Sequence, residues 1–385
     1  MNSREKFNSV MSFDAGAQVP KTEFAYWAGT LRKWLEQGLP LLKGIDESVQ
    51  DSEPIRGSKP LDGKNSGMSD ENVLAYFELD SFFEKFPFDI SPMLEKEVVS
   101  ENGEYIIYKD SYGITQKRYK KTASIPLVLD YPIKNRKDFY RYIENYDTDV
   151  KKRLPRDFER LAASLRDRDF PIRLGGNPFG FSFLARHLMG EVNFMLSLYD
   201  DPGLVKELNR FFLDFIKQYF AVIISGIEID CAFILEDIAY RSGSFISEGM
   251  FREFMLPYYL EYIDFLHQYN IRDIVVDCDG LIDELIPLWV EAGVTGIFPV
   301  EAVNDIAAIR KNFPQLVLLG GFDKRVLFAD SNFKRIENEL SKTETVMKTG
   351  GYIPHIDHAV SEDVTWENFK YYRKRLNEII DGLMQ

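Results

Sequence analysis

The chain has 385 residues, 61 acidic against 47 basic, and a formal charge of -14. An acidic excess of this size disfavours a polyanion bound along the surface, so nucleic acid is not an expected partner. Its 45% hydrophobic and 14% aromatic content is that of a packed globule, and no stretch reaches the roughly 20 apolar residues that a membrane span needs. The two cysteines, Cys231 and Cys278, each lie inside an apolar run. No disulfide framework is expected, and with no signal-peptide pattern in the first residues the expected location is cytoplasmic.

In chain order, residues 1–20 read as an arm and 43–71, rich in Ser, Gly, Asp and Lys, as a surface loop. Neither is expected to carry chemistry. Across 97–129 short β-type segments are separated by Asn102-Gly and Ser111-Tyr-Gly, which predicts a small antiparallel hairpin excursion. The Asn-Gly pair is its main signal, since both central positions of the tight hairpin turn need positive φ. After Asp130 strand and helix alternate. Strands are predicted at 170–174, 231–235, 273–276, 296–299, 317–319 and 352–354, and helices at 204–224, 248–269, 282–292, 303–312, 333–347 and 366–383. With two further strands at 24–27 and 88–90 the count is eight. The expected fold is α/β, a (β/α)8 TIM-type barrel formed as one domain over 1–385, with an open doubly wound sheet as the competitor. No Gly-x-Gly-x-x-Gly follows the first strand, which argues against dinucleotide binding.

In such a barrel the active site gathers at the C-terminal ends of the strands. Here those ends are acidic: Glu236-Asp237, then Asp277-Cys-Asp279-Gly, Glu301, Asp323-Lys324-Arg325, and finally His355-Ile-Asp-His358. Carboxylates crowded on one dry rim cannot all stay ionised and unpaired. They must be protonated, paired with Lys324, Arg325 or Arg241, or bound to a cation. Strand alternation puts Asp277 and Asp279 on one face and Cys278 on the other. With His358 and Glu301 they are the expected ligands of a divalent metal such as zinc. The competing expectation is that Asp279-Gly280 caps the following helix while Asp277 pairs with Lys324 or Arg325. His187 reads as a core histidine, His267 as part of a solvated helix face, and Gly175-Gly-Asn-Pro-Phe-Gly180 as a close backbone approach to a ligand or simply a turn.

The ordered set Gly176-Asn-Pro-Phe, Ser242-Gly, Met250-Phe-Arg-Glu-Phe-Met-Leu-Pro-Tyr-Tyr259, Asp277-Cys-Asp-Gly, Gly320-Gly-Phe-Asp-Lys-Arg325 and His355-Ile-Asp-His358 resembles the uroporphyrinogen decarboxylase superfamily. The similarity runs from about residue 170 to the C-terminus. The resemblance implies a (β/α)8 barrel and one of two chemistries. In the decarboxylases an arginine pair after the first strand holds a polycarboxylate, and an aspartate ends the second strand. Asp89 matches that aspartate and His358 the C-terminal histidine, but Thr30-Leu-Arg-Lys stands where the arginine pair is expected, and Arg186 where the family has a tyrosine. In the cobalamin-dependent methyltransferases zinc ligands fall on the positions of Asp277, Asp279 and His358.

The expected function is therefore an enzyme of O-demethylase type, passing a methyl group from a small methylated substrate to a corrinoid on a partner protein. Asp279, His358 and Asp89 are the candidate catalytic residues. Lys324, Arg325, Arg186 and Tyr240 are the candidate substrate-binding residues. A decarboxylase using Asp89 and His358 without metal is the alternative, and a non-catalytic barrel that binds a tetrapyrrole or corrinoid is the reading from another class. A homodimer is the default assembly.

Overall fold

The computed structural model describes residues 1–14, 16–43, 70–120 and 125–383, so most of the segment expected to be a surface loop lies outside the described residues. Its strands are β1 (Glu84–Lys85), β2 (Glu97–Glu101), β3 (Tyr105–Lys109), β4 (Thr115–Tyr119), β5 (Leu127–Asp130), β6 (Ile172–Gly175), β7 (Cys231–Leu235), β8 (Ala239–Tyr240), β9 (Gly243–Ser244), β10 (Ile274–Asp277), β11 (Gly296–Val300), β12 (Val317–Phe322) and β13 (Tyr352–Ile356). Seven of them form one parallel sheet in the order β1-β6-β7-β10-β11-β12-β13. A parallel bridge between Tyr26 and Val360 sets residues 24–27 beside the far end of this curled sheet.

Parallel strands need a covered crossover, and helices Pro202–Gly226, Leu256–Gln268, Ile286–Ala292, Ile306–Asn312 and Phe333–Met347 supply it. The strands are apolar on both faces because both are buried. Cys231 and Phe233, Val275, Phe298, Val317 and Leu319, and Ile353 pack into one inner cluster. Their alternates Ala232 and Ile234, Ile274 and Val276, Ile297, Leu318 and Tyr352 pack outward against the helices.

The N-terminal segment is not an arm. Helix Ser3–Met11, opened by an Asn2–Glu5 capping box, buries Phe7, Val10 and Met11, which join the inner cluster of the sheet. The i, i+3, i+4 spacing of these three was legible, but the polar residues between them masked it. Just after this helix comes a buried ion pair. The Arg373 guanidinium lies 2.9 Å from the Glu23 carboxylate, with both side chains essentially inaccessible. Tyr372 Oη and the Ile356 backbone N–H also donate to Glu23, and Arg373 donates to the Thr22 carbonyl. One carboxylate thus ties the first strand segment to β13 and to helix Trp366–Gly382.

Other differences from the expected elements trace mainly to proline. The second strand is Glu84–Lys85 and not 88–90, where Pro87 has removed a backbone donor. The helix expected over 248–269 breaks into Glu248–Phe254 and Leu256–Gln268 around Met255, because Pro257 cannot donate to the preceding turn. Pro287 sets the start of helix Ile286–Ala292, and Asp305, accepting from the N–H groups of Ala307 and Ala308, starts Ile306–Asn312. The excursion is a four-stranded antiparallel sheet, β2-β3-β4-β5. At its first turn Asn102 Oδ1 accepts from the N–H groups of Glu104 and Tyr105, and neither Asn102 nor Gly103 takes positive φ, so this is an Asx turn instead of the tight Asn-Gly hairpin. Among the described residues no helix is long and apolar enough to cross a membrane.

Removing one member of a buried ion pair strands the other charge, whereas removing both can be nearly neutral. Arg373→Met is expected to lower unfolding stability by about 3–5 kcal/mol, and the double variant Glu23→Gln/Arg373→Met by clearly less. Urea midpoints of the three proteins check this. Equal losses in the single and double variants would show that the pair does not act as a unit.

Candidate active site at the strand ends

β6 ends in two glycines with φ of 88° and 74°. A Cβ on Gly175 would stand 2.3 Å from the Phe233 carbonyl oxygen of β7, so the neighbouring backbone requires glycine there. The chain then turns into helix Phe183–Met189, whose first N–H groups have no partner within the helix. Glu236, directly after β7, supplies one. Its fully buried carboxylate accepts from the N–H groups of Phe181 at 2.9 Å and Ser182 at 2.8 Å, and from Tyr259 Oη at 2.9 Å. Burial raises its pKa to about 7 against the pull of these donors. Glu236 therefore fixes the rim and does not face a ligand.

Three more rim acids are also committed. Asp357 accepts from the N–H groups of Ala302 and Lys324, each at 3.3 Å, with Lys324 Nζ 3.9 Å away, and burial raises its pKa. Glu301 accepts from the Gly280 N–H at 2.7 Å. Asp323 caps the short 3-10 turn Lys324–Leu327 and takes the Arg325 guanidinium through two contacts of 2.8 Å. Lys324 and Arg325 thus have different partners, set by this turn and not by strand alternation.

What remains is a small open group. His358 Nε2 lies 3.4 Å from Asp279 Oδ2, with the two side chains 28% and 42% exposed, and the imidazole stacks on Phe24 with centroids 5.0 Å apart. Burial pushes the His358 pKa down, but Asp279 and Glu301 outweigh it and the net shift is upward. His358 therefore keeps its proton to higher pH than a free imidazole does. Asp237 completes the group. Its Oδ1 accepts from the Asp279 N–H at 3.2 Å, and burial, then the Asp279 charge, raise its pKa to about 6.

Of the four expected metal ligands the structure pairs only Asp279 with His358. Among the described residues no three His, Cys, Asp or Glu side chains are arranged to hold one metal ion. Val275 faces inward while Ile274, Val276 and Cys278 pack outward, but the strand ends at Asp277, so Asp279 lies beyond it. Glu301, however, is drawn to Gly280. The described residues do not assemble the expected metal set.

Asp89 accepts from the Ser91 N–H at 2.8 Å, and its carbonyl takes a hydrogen bond from Arg153. Arg186 Nη2 donates to the Glu236 and Asp237 carbonyls at 3.0 and 2.7 Å. Tyr240 is exposed at the rim and its hydroxyl donates to Glu191. His187 lies edge-on to Tyr112, and burial lowers its pKa, as suits a neutral packing histidine. His355 is buried against Phe24, Phe82 and Phe298, with Nδ1 2.7 Å from the Ile356 carbonyl. His267 lies half-buried in the last turn of helix Leu256–Gln268.

Residues 116–379 match the family model described as uroporphyrinogen decarboxylase (URO-D). No curated protein sequence matches the chain. Among solved structures, a methyltransferase from Methanosarcina mazei superposes with a TM-score of 0.59 at 13% identity, covering 100% of both chains. A uronate isomerase from Bacillus halodurans gives a TM-score of 0.30 at 11% identity, covering 63% of this chain and 54% of its own.

A buried acid whose folded pKa lies above its unfolded one contributes stability below the unfolded value that is lost as pH rises through the folded value. For Glu236 that window runs from the ordinary glutamate value of 4.5 up to about 7. Glu236→Gln lacks this loss. Its stability relative to wild type is expected to improve as pH is raised from about 5 to about 8, read as the difference in urea midpoints. A difference independent of pH would contradict the assignment.

Proposed function

The chain belongs to the uroporphyrinogen decarboxylase family, and from that premise we propose that it is a methyl-transferring enzyme of O-demethylase type working at the acidic rim. The observation that carries this reading is the Asp279–His358 pair, 3.4 Å apart and partly open to solvent. When a methyl group leaves an ether or amine, the departing oxygen or nitrogen keeps the bonding electrons and needs a proton. A histidine kept protonated by a neighbouring carboxylate is suited to give it. A corrinoid carried by a partner protein would supply the methyl acceptor. Phe24 fixes the imidazole plane by stacking.

The charge balance of the rim supports this choice over removal of carboxylates from a polyanion. Arg325 is taken by Asp323, Arg186 by backbone carbonyls, and Lys324 by Asp357. A polycarboxylate entering there would meet Asp237, Asp279 and Glu301, with these three cations already engaged. Asp89, the acid that the decarboxylase alternative needs, is turned onto Ser91.

The test offers the protein uroporphyrinogen in one assay, and in another a panel of methyl ethers and methylamines with a reduced corrinoid as acceptor. A methylated compound should yield methylcorrinoid, visible by absorbance, and His358→Gln should lower kcat by about 10²–10⁴-fold. Release of carbon dioxide from uroporphyrinogen at about 1 per second or faster would overturn the proposal.

A further inference from the structure

β10 ends at Asp277, so strand pairing does not set the place of Asp279, and the segment that carries it is held by the loops on either side. Toward β7, Gly280 takes a φ of 89°, and a Cβ there would stand 2.6 Å from the Ala239 carbonyl oxygen. The Leu281 N–H donates to the Tyr240 carbonyl at 2.9 Å. Toward β11 the contact is made by Glu301 and by Asn304, which is 6% exposed. The Asn304 amide donates to the Gly280 carbonyl at 2.9 Å and to the Glu301 carbonyl at 3.0 Å, and its oxygen accepts from the Ile282 N–H at 2.9 Å. It thereby pairs with residues 280 and 282 as the peptide group of a neighbouring strand would. These partners also fix which end of the amide is oxygen, since Ile282 offers a donor and both carbonyls are acceptors.

We propose that Asn304 is a positioning residue for the Asp279–His358 pair: its side-chain amide, together with the Glu301 carboxylate, holds the segment 279–282 in the arrangement that presents Asp279 to His358. This rests on the reading of that pair as the reacting group of the rim and adds the residue that sets its geometry. Four consecutive peptide groups are held. The Asp279 N–H meets Asp237 Oδ1 at 3.2 Å and the Gly280 N–H meets Glu301 Oε2 at 2.7 Å, which fixes the peptide plane on each side of Asp279. Asn304 holds the next two, one through the Gly280 carbonyl and one through the Ile282 N–H. With these planes set, Asp279 keeps only the rotation of its side chain, and its Oδ2 comes to 3.4 Å from His358 Nε2. A displacement of about 1 Å at a reacting group costs on the order of 10²-fold in rate, so a buried clamp away from the substrate bears on the chemistry. The hydrogen bonds of Asn304 go to backbone groups and to neither member of the pair. It acts through the segment and is not a catalytic residue.

The experiment compares Asn304→Ala with Asn209→Ala. Asn209 is a similar amide, 3% exposed, that donates to the Phe254 carbonyl at 3.0 Å between two outer helices, so its loss reports what removing a buried amide does to the fold alone. Both variants should lower the urea midpoint. By NMR at one pH and without substrate, Asn304→Ala should quicken amide exchange at Gly280 and Ile282 by about tenfold or more and shift the His358 imidazole resonances, while the amides of Ile274–Asp277 stay protected. Asn209→Ala should do neither. In the methyl-transfer assay Asn304→Ala should lower kcat by about 10- to 100-fold with KM within about twofold, and Asn209→Ala should leave both unchanged. If Asn304→Ala does not fold, the same readouts apply to Asn304→Ser, which stays polar but is too short to span Gly280 and Ile282. Unchanged exchange at Gly280 and Ile282, or a loss of stability like that of Asn209→Ala with His358 and kcat unmoved, would overturn the inference. The two readings fail separately. A wild type without methyl transfer whose His358 resonances still follow Asn304 removes the proposed reaction and leaves the clamp, whereas methyl transfer that Asn304→Ala does not slow removes only the clamp.

Discussion

Five of the seven parallel strands deliver acidic side chains to one partly desolvated rim, and the local structure there is largely an answer to their mutual repulsion. Unpaired carboxylates at such spacing would each have to be protonated or expelled. The fold instead gives each a partner. Glu236 takes the N–H groups of Phe181 and Ser182 just before helix Phe183–Met189, Asp357 takes Lys324 and two backbone donors, Glu301 takes Gly280, and Asp323 takes Arg325. Asp279 and His358 are left facing each other, partly open to solvent, with Asp237 accepting from the Asp279 N–H beside them.

The same distribution accounts for the missing metal set. Thiolates and imidazoles on three strand ends make a zinc site, whereas two aspartates and a histidine whose neighbours are drawn off by backbone donors do not converge on one point. A metal-centred Lewis acid and a histidine-centred proton donor both stabilise a leaving group. This rim has the residues for the second.

Much of the architecture could be read from the sequence because buried parallel strands are long apolar runs and their crossover helices are periodic. Cys231–Leu235 and Phe333–Met347 have the expected limits. Elements shifted where one residue overrode the period: Pro257 broke a helix, and Pro87 displaced a strand. The site was legible as a list of strand ends and not as a geometry. Asp279 and His358 could be chosen because motif spacing put them there, but which acids are committed to backbone N–H groups depends on loops that only the folded chain defines. Asp237 was legible only as one strand-end acid among several, because the bend that turns it to the Asp279 N–H is not displayed by a sequence.

The central claim is that Asp279 and His358 form one proton-holding unit. Measuring the His358 imidazole titration by NMR in wild type and in Asp279→Asn tests it without any substrate. The account predicts a wild-type pKa above that of free histidine that falls clearly when Asp279 is neutralised. An unshifted His358, or one that titrates identically in both proteins, would contradict it.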